Sequence, residues 1–188
     1  NKVEDIIKNN LNKKNKVRAI VAVDYAGNLC DWESLYYLKN KYNLYLINDN
    51  CHALGSSYNQ SKKYAMKYAD LTTLSFHPVK AITTGEGGAI LSNNKKLDNF
   101  FKSYRSHGVK KNLKYKPPWY YEMNFLGNNY RLTDIQSALG SSQLKKLDNF
   151  IKKRNQIAKF YNKHLTNDNL VKPITRINCK NSISITKS

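Results

Sequence analysis

Val17 to Tyr25, VRAIVAVDY, is a nearly continuous apolar and β-branched run. Such a run reads as a strand buried on both faces, as in a parallel sheet. Gly27 and Asn28 break it, and Asp31 can cap a helix whose apolar side includes Leu35 and Leu38. Leu44 to Ile47, LYLI, is a second short buried strand ending in Asn48-Asp49. Strand, helix and strand with short links form a βαβ unit, so a parallel pair with a right-handed crossover is expected. The fold class is therefore α/β.

The same reading extends outward. Val3, Ile6, Ile7 and Leu11 recur at helical spacing, which predicts an amphipathic helix over the first dozen residues. Leu71 to Phe76 is a third strand and Ala89 to Leu91 a fourth, with the turn Gly85-Glu86-Gly87-Gly88 between them. Asn93 or Asn94 caps a helix carrying Leu97, Phe100, Phe101 and Tyr104, and Gly108 stops it. Residues 109–128 read as a long loop with a Trp119-Tyr120-Tyr121 cluster, and loops of that length are often functional. Thr133-Asp134-Ile135-Gln136 has the form of a capping box. The helix it opens carries Leu132, Ile135 and Leu139, and Ile151, Ala158, Tyr161 and Leu165 continue on another long helix. The tail after Pro173 is polar and has no clear period.

Composition limits the function classes. The 188 residues carry 32 Lys+Arg against 13 Asp+Glu, a net charge of +19, with 40% hydrophobic residues. A chain of this kind buries a core and is neither disordered nor collagen-like. No apolar run reaches the length of a bilayer span, so no membrane partner is expected. Cys30, Cys51 and Cys179 form neither a disulfide framework nor a zinc pattern. That favours a reducing cytoplasm and no metal site. The charge comes from 27 Lys and only 5 Arg, scattered as pairs, beside 25 Asn and 14 Tyr. Base readers favour the planar fork of Arg. The charge therefore reads as a solvated surface and not as a specific nucleic-acid face, although a basic nucleic-acid-binding module stays open as a rival.

The chemistry concentrates in two places. Asp49 lies at the carboxyl end of an expected parallel strand, where open α/β sheets bind ligands, and His52 follows three residues later. Ser75-Phe76-His77-Pro78-Val79-Lys80 ends a strand, presents a hydroxyl and places a lysine among Pro, Thr and Gly neighbours. A lysine partly removed from water there can attack a carbonyl. A carboxylate such as Asp49 can hold a pyridine nitrogen protonated, and Ser75 can hydrogen-bond a phosphate. Schiff-base lysine, pyridinium partner and phosphate anchor are what a protein contributes to a pyridoxal phosphate site.

Four motifs in order carry a resemblance. They are Asn48-Asp49-Asn50-Cys51-His52-Ala53-Leu54-Gly55, SFHPVKAITTGEGGAI, Arg105-Ser106-His107-Gly108, and LGNNYRLTDIQSALGSSQLKKLDNFI. Together they resemble the DegT/DnrJ/EryC1/StrS sugar aminotransferases over about Val17 to Leu165. The HPVK form of the lysine motif and the PWYYEM run are most like the branch that serves pseudaminic acid synthesis. The resemblance implies the three-layer αβα large domain of the aspartate-aminotransferase-like, fold type I enzymes, present as a fragment. Residues 1–165 would be the central part of that domain with its interface helices, and residues 166–188 the truncated start of a small C-terminal domain.

The resemblance also implies an activity and a cofactor, pyridoxal 5'-phosphate. L-Glutamate would give its amino group to C4 of a UDP-linked 4-keto-6-deoxy-N-acetylhexosamine. A related nucleotide-sugar aminotransferase and an inactive remnant remain as alternatives. Lys80 matches the Schiff-base lysine, Asp49 the partner of the pyridine nitrogen, His52 a residue by the cofactor ring and its hydroxyl, and Ser75 a phosphate ligand. Asn129 matches an Asn that reaches the cofactor phosphate of a neighbouring subunit, which implies a homodimer. Glu86 is expected to fix its loop, and His77, His107 and Arg131 have no assigned role. Asn48 and Asn50-Cys51 depart from the usual Glu-Asp-Ala-Ala, and Asn128 replaces a usual aromatic. The family's Gly-Thr-x-Ala turn and its ring-stacking aromatic have no counterpart before Val17.

Overall fold

The computed structural model describes residues 2–11, 16–111, 114 and 117–165, and the strand 179–180. Helix α1 (Lys2–Lys8) precedes the first strand, β1 (Ala19–Val23), and a short 3-10 turn over Tyr25–Gly27 follows it. Then come α2 (Trp32–Tyr42), β2 (Tyr45–Asp49), β3 (Ser57–Tyr58), α3 (Tyr64–Tyr68) and β4 (Leu71–Ser75). The chain continues through β5 (Gly88–Leu91), α4 (Lys95–Tyr104), β6 (Val109–Lys111), β7 (Tyr121–Met123), α5 (Asp134–His164) and β8 (Cys179–Lys180). Strands β1, β2, β4 and β5 form one sheet in that order. The first three run parallel and β5 is antiparallel to β4.

The expected βαβ unit is present. Asp31 caps α2 by accepting the Ser34 N–H at 3.2 Å, and Leu38 is buried beneath it. Asn43, at φ 50°, takes the left-handed conformation that ends the helix. The register pairs Ile20 with Leu46 and Ala22 with Asn48, and Asn48 pairs with Thr72. These residues share one face because side chains alternate along a strand. On that face lies the main core of Ala22, Leu29, Trp32, Leu46, Ala53, Tyr58, Tyr64, Ala65 and Tyr68. Trp32, Tyr58, Tyr64 and Tyr68 make tilted or edge contacts with centroids 5.8–6.2 Å apart. Full burial of a large apolar side chain stabilises by roughly 1.5–3 kcal/mol, so this cluster dominates the fold's stability.

The opposite face corrects the expectation that the first strand is buried on both sides. Val21 is 62% exposed and Val23 45% exposed. The β-branched run marks a strand, but nothing among the described residues covers that face of it. The register places Val21, Val23, Asp49, Thr73 and Ile90 together on this open side.

Other expectations shift in detail. The helix over the first dozen residues is confined to Lys2–Lys8, with Ile7 buried. Helix α4 is capped by Asn94, which accepts from Lys96 N and Leu97 N, and it ends at Tyr104, before Gly108. Residues 109–128 are not all loop: β6 and β7 pair antiparallel, Val109 with Met123. The two helices expected after Thr133 are one 31-residue helix, because no breaker separates them. Gly140 inside it faces Thr84, whose Cγ2 would lie 2.8 Å from an added Cβ. The tail after Pro173 lies largely outside the described residues, apart from Cys179–Lys180, which pairs with β3.

Candidate functional site

Asp49 is the last residue of β2, and the alternation that buries Asn48 turns Asp49 to the open face. Its backbone is held on both sides. Asp49 O accepts the Asp24 N–H at 3.0 Å, and the next amide, Asn50 N, donates to Thr73 O at 3.0 Å. The Asp49 carboxylate accepts the Cys51 N–H at 3.1 Å. His52 is half-buried, with its Nδ1 accepting the Ala26 N–H at 3.2 Å and the Tyr25 ring 5.4 Å away. Burial, then the positive charge of Lys80, push the His52 pKa below 6.5, against the opposing pull of Asp49. Both charges therefore act on the imidazole. The Cys51 thiol is pushed up by burial and by Asp49, while Lys80 pulls it down. Asp49, Cys51, His52 and Lys80 share one electrostatic neighbourhood.

Lys80 is half-buried at the start of a closed loop that follows β4. Phe76 ties the neck: its N–H donates to Gly87 O at 2.9 Å, and its carbonyl accepts Thr84 N at 3.0 Å and Thr83 Oγ1 at 3.1 Å. Lys80 N donates to His77 O at 3.0 Å. Glycine is required at Gly88, where an added Cβ would lie 2.6 Å from Leu74 O. Ser75, half-buried and paired with Gly88, accepts the His77 N–H through Oγ at 3.4 Å.

Helix α5 braces this loop at two points. Arg154 Nη2 donates to Lys80 O at 3.1 Å, and Gln136 Nε2 donates to Glu86 O at 3.1 Å. Between them Ala81 and Ile82 pack on Leu147 and Ile151. The Thr133–Gln136 capping box starts the helix as its sequence predicts.

Beneath the site the sheet's closed face holds a polar cluster. Asp24 is fully buried and accepts from Cys30 N (2.9 Å), Tyr64 Oη (2.8 Å), Asn48 Nδ2 (3.1 Å) and Asn50 Nδ2 (3.2 Å). Burial raises its pKa above 3.8, and burial with the Asp24 charge raises that of Tyr64.

Of the residues singled out from sequence, Asp49 and Lys80 lie within electrostatic reach of His52, and Ser75 lies on β4, the strand next to β2. Asn129 is exposed and lies in a separate stretch, its backbone bridged to Ser106. Glu86 holds the loop through its carbonyl, which accepts from Thr84 Oγ1 and Gln136 Nε2. His77 Nδ1 accepts Val79 N at 3.4 Å, and its Nε2 is 3.8 Å from Glu86. His107 has φ 64°. Arg131 lines a cleft of about 1150 Å³ between β5, α4 and the start of α5, with Thr73, Phe100, Tyr104 and Arg105. Sequence reading missed Asp24, Ala26 and Arg154, and the contact of the capping-box Gln136 with the Glu86 carbonyl. Asp24 had a legible signal, since it is an acid at the carboxyl end of a parallel strand, as Asp49 is.

This arrangement offers a carboxylate, an imidazole, a hydroxyl and an amine around an open sheet face. The donor set fits pyridoxal 5'-phosphate: a carboxylate for a ring nitrogen, an amine for a carbonyl, and a hydroxyl for a phosphate. No group of three or more His, Cys, Asp or Glu side chains among the described residues could hold a metal ion.

Comparison with known proteins shows the fold and the family. Structurally the chain has the fold type I architecture: it superposes on a DegT/DnrJ/EryC1/StrS aminotransferase from Brucella abortus with TM-score 0.82 over 97% of this chain and 47% of that one, at 24% identity. It also matches Helicobacter pylori PseC, an aminotransferase involved in pseudoaminic acid biosynthesis, with TM-score 0.75 and 40% identity over 84% of this chain and 41% of that one. Residues 2–185 match the DegT/DnrJ/EryC1/StrS aminotransferase family, and the chain belongs to it. Aminotransferases of this family are pyridoxal phosphate enzymes. A Campylobacter jejuni UDP-4-amino-4,6-dideoxy-N-acetyl-β-L-altrosamine transaminase is 50% identical over 147 residues, which is 78% of this chain and 38% of that protein. The Helicobacter pylori transaminase of the same name is 43% identical over 148 residues, 79% of this chain and 38% of that protein. The chain thus spans about two-fifths of the length of these curated relatives.

Proposed function

We propose that this chain carries the lysine-bearing part of an aminotransferase that moves the amino group of L-glutamate to C4 of a UDP-linked 4-keto-6-deoxy-N-acetylhexosamine. The observation that carries the reading is Asp49 at the carboxyl end of β2, with Asp49 and Lys80 both within electrostatic reach of His52. The choice of sugar rests on the relatives: the UDP-altrosamine transaminases reach 43–50% identity, against 36% for the GDP-perosamine synthase of Escherichia coli O157:H7. Bound pyridoxal phosphate supplies an electron sink for the carbon that loses its proton.

The chain's own residues do the rest. Asp49 holds a proton on the ring nitrogen by its negative charge. Lys80 would hold the cofactor through its amine and would serve as the general base and acid that moves a proton between carbons. Glutamate leaves as 2-oxoglutarate in the first half, and the keto sugar gains the amine in the second. The Ser75 hydroxyl helps to anchor the phosphate. Asn129, exposed and on a separate stretch, reaches the phosphate of a neighbouring subunit, so the working unit is a homodimer. The partners are these small molecules, and the +19 charge belongs to the solvated surface.

The test is to mix the chain with pyridoxal phosphate, reduce with borohydride and map the labelled peptides. Preferential labelling of Lys80 over the other 26 lysines, lost in Lys80→Ala, is expected. Labelling of a folded chain at other lysines with none at Lys80 overturns the assignment. Amination of UDP-linked against GDP-linked keto sugars, assayed with glutamate, then checks the substrate.

A further inference from the structure

The turn joining β1 to α2 touches the site without belonging to it. Asp24 binds on both sides of Asp49: its N–H donates to Asp49 O at 3.0 Å, and its buried carboxylate accepts from the side chains of Asn48 and Asn50. Two residues later Ala26 sits at φ 53° and ψ 22°, a left-handed conformation that costs a non-glycine residue free energy. Such strain persists only where the surroundings impose it, and it gathers at functional sites. Here the strained residue aims its N–H at His52 Nδ1, 3.2 Å away. A backbone N–H can only donate, so Nδ1 must present a lone pair. A neutral imidazole with a bare Nδ1 carries its proton on Nε2.

We infer that the turn Asp24–Gly27 is a positioning device that locks His52 as the neutral Nε2–H tautomer, making it a hydrogen-bond donor to an oxygen in the site. Several observations converge. Tyr25 packs on the ring at 5.4 Å, which fixes its plane. The Lys80 charge and half-burial both oppose a second proton on the ring, and of the charged groups that act on it only Asp49 favours one. Asp24 anchors the turn from below through Cys30 N at 2.9 Å and Tyr64 Oη at 2.8 Å. Gly27, at φ 83°, follows Ala26 with a second positive φ, which glycine adopts freely.

A donor in this place suits a phenolate or carbonyl oxygen and disfavours a cation. That the oxygen belongs to the cofactor ring rests on the proposed function. The tautomer itself does not.

Nitrogen-detected NMR of the isotope-labelled chain reads the tautomer directly, and loss of one of four histidine signal sets in His52→Gln assigns it. At neutral pH a protonated Nε2 and a bare Nδ1 are expected for His52. An Nδ1–H tautomer or an imidazolium overturns the inference. In Asp24→Ala, if it folds, His52 should become a mixture of tautomers. A folded Asp24→Ala that keeps the single tautomer overturns the role of the turn, and Ala26→Gly, which keeps the N–H, should leave the tautomer unchanged. Should Asp24→Ala not fold, the wild-type spectrum still decides the tautomer. Added pyridoxal phosphate should shift the His52 Nε2 signal. An Nε2–H signal that does not move, in a chain labelled at Lys80, overturns the ring oxygen as its partner, while absence of labelling at Lys80 strikes the proposed function instead.

Discussion

The two faces of the central sheet are made by the same strands and behave as opposites. On the closed face Asp24 is sealed from solvent among four hydrogen-bond donors, with Trp32 at 0% exposure nearby. On the open face Asp49, one register step away, stays half-buried and lies within the electrostatic reach of Lys80 and His52. Alternation along a strand is enough to separate them. One carboxylate is spent on holding the strand ends together and the other is left available for chemistry. Substitutions on the two faces should therefore have different signatures.

The largest contrast is between Lys80 and Trp32. Lys80→Ala should lose all labelling by pyridoxal phosphate at that site and leave stability within about 0.5 kcal/mol, because only a half-buried side chain is shortened. Trp32→Ala should cost about 3–5 kcal/mol, a large part of a domain's total stability. Denaturant unfolding followed by peptide mapping checks both. A Lys80→Ala chain as unstable as Trp32→Ala would break the division between the faces.

Asp24 gives the next effect, and it depends on pH. Burial holds its pKa above 3.8, so the folded chain binds this proton more tightly than the unfolded chain does. The group thus favours folding in acid, and that contribution is lost as pH rises from 3.8 through the raised folded value. Asp24→Asn keeps the shape, removes the titration and turns one acceptor atom into a donor facing donors. It should cost on the order of 2 kcal/mol near neutral pH and flatten this part of the pH dependence of unfolding. His52 works the other way: its lowered pKa contributes stability above 6.5 that is lost as pH falls through its folded value. Comparing Asp24→Asn with His52→Gln over the same pH range separates the two slopes.

Smaller effects test how α5 supports the open face. Gly55 has φ +89°, and a Cβ there would collide with Ile151 Cδ1. Gly55→Ala should cost about 2 kcal/mol and weaken the packing behind Lys80. Thr133→Ala removes the hydroxyl that accepts Gln136 N at 3.3 Å and should cost about 1 kcal/mol. Thermal unfolding measures each.

Much of this was legible beforehand because the signals are local. The βαβ unit follows from the apolar runs and the Asp31 cap, and the capping box at Thr133 follows from four consecutive residues. Asp49, His52 and Lys80 stand out as proposed site residues through motif chemistry and the rule that parallel strands bind ligands at their carboxyl ends. What stayed hidden depends on distant contacts. Arg154 meets the Lys80 carbonyl from 74 residues away, and Asp24 meets Tyr64 from 40 away. No spacing pattern encodes such pairs. The β6–β7 hairpin was hidden for another reason: Lys and exposed aromatics there alternate too weakly to mark short strands.

Val21→Ser should have the smallest effect, and it bears most directly on the comparison. Val21 sits in the middle of β1, between Ile20, which packs on the core cluster, and Ala22, which is buried. A sequence reading of AIVAV gives it the same weight as its neighbours. Its side chain is nevertheless 62% exposed, so replacing it removes little buried apolar area and loses mainly β propensity. The expected cost is below about 0.5 kcal/mol. Ala22→Ser, which places a hydroxyl on the buried side, should cost more although it changes fewer atoms. If Val21→Ser costs more than Ala22→Ser in denaturant unfolding, then the face bearing Asp49 is covered in solution, and access to Lys80 must come from the strand ends and not across the sheet.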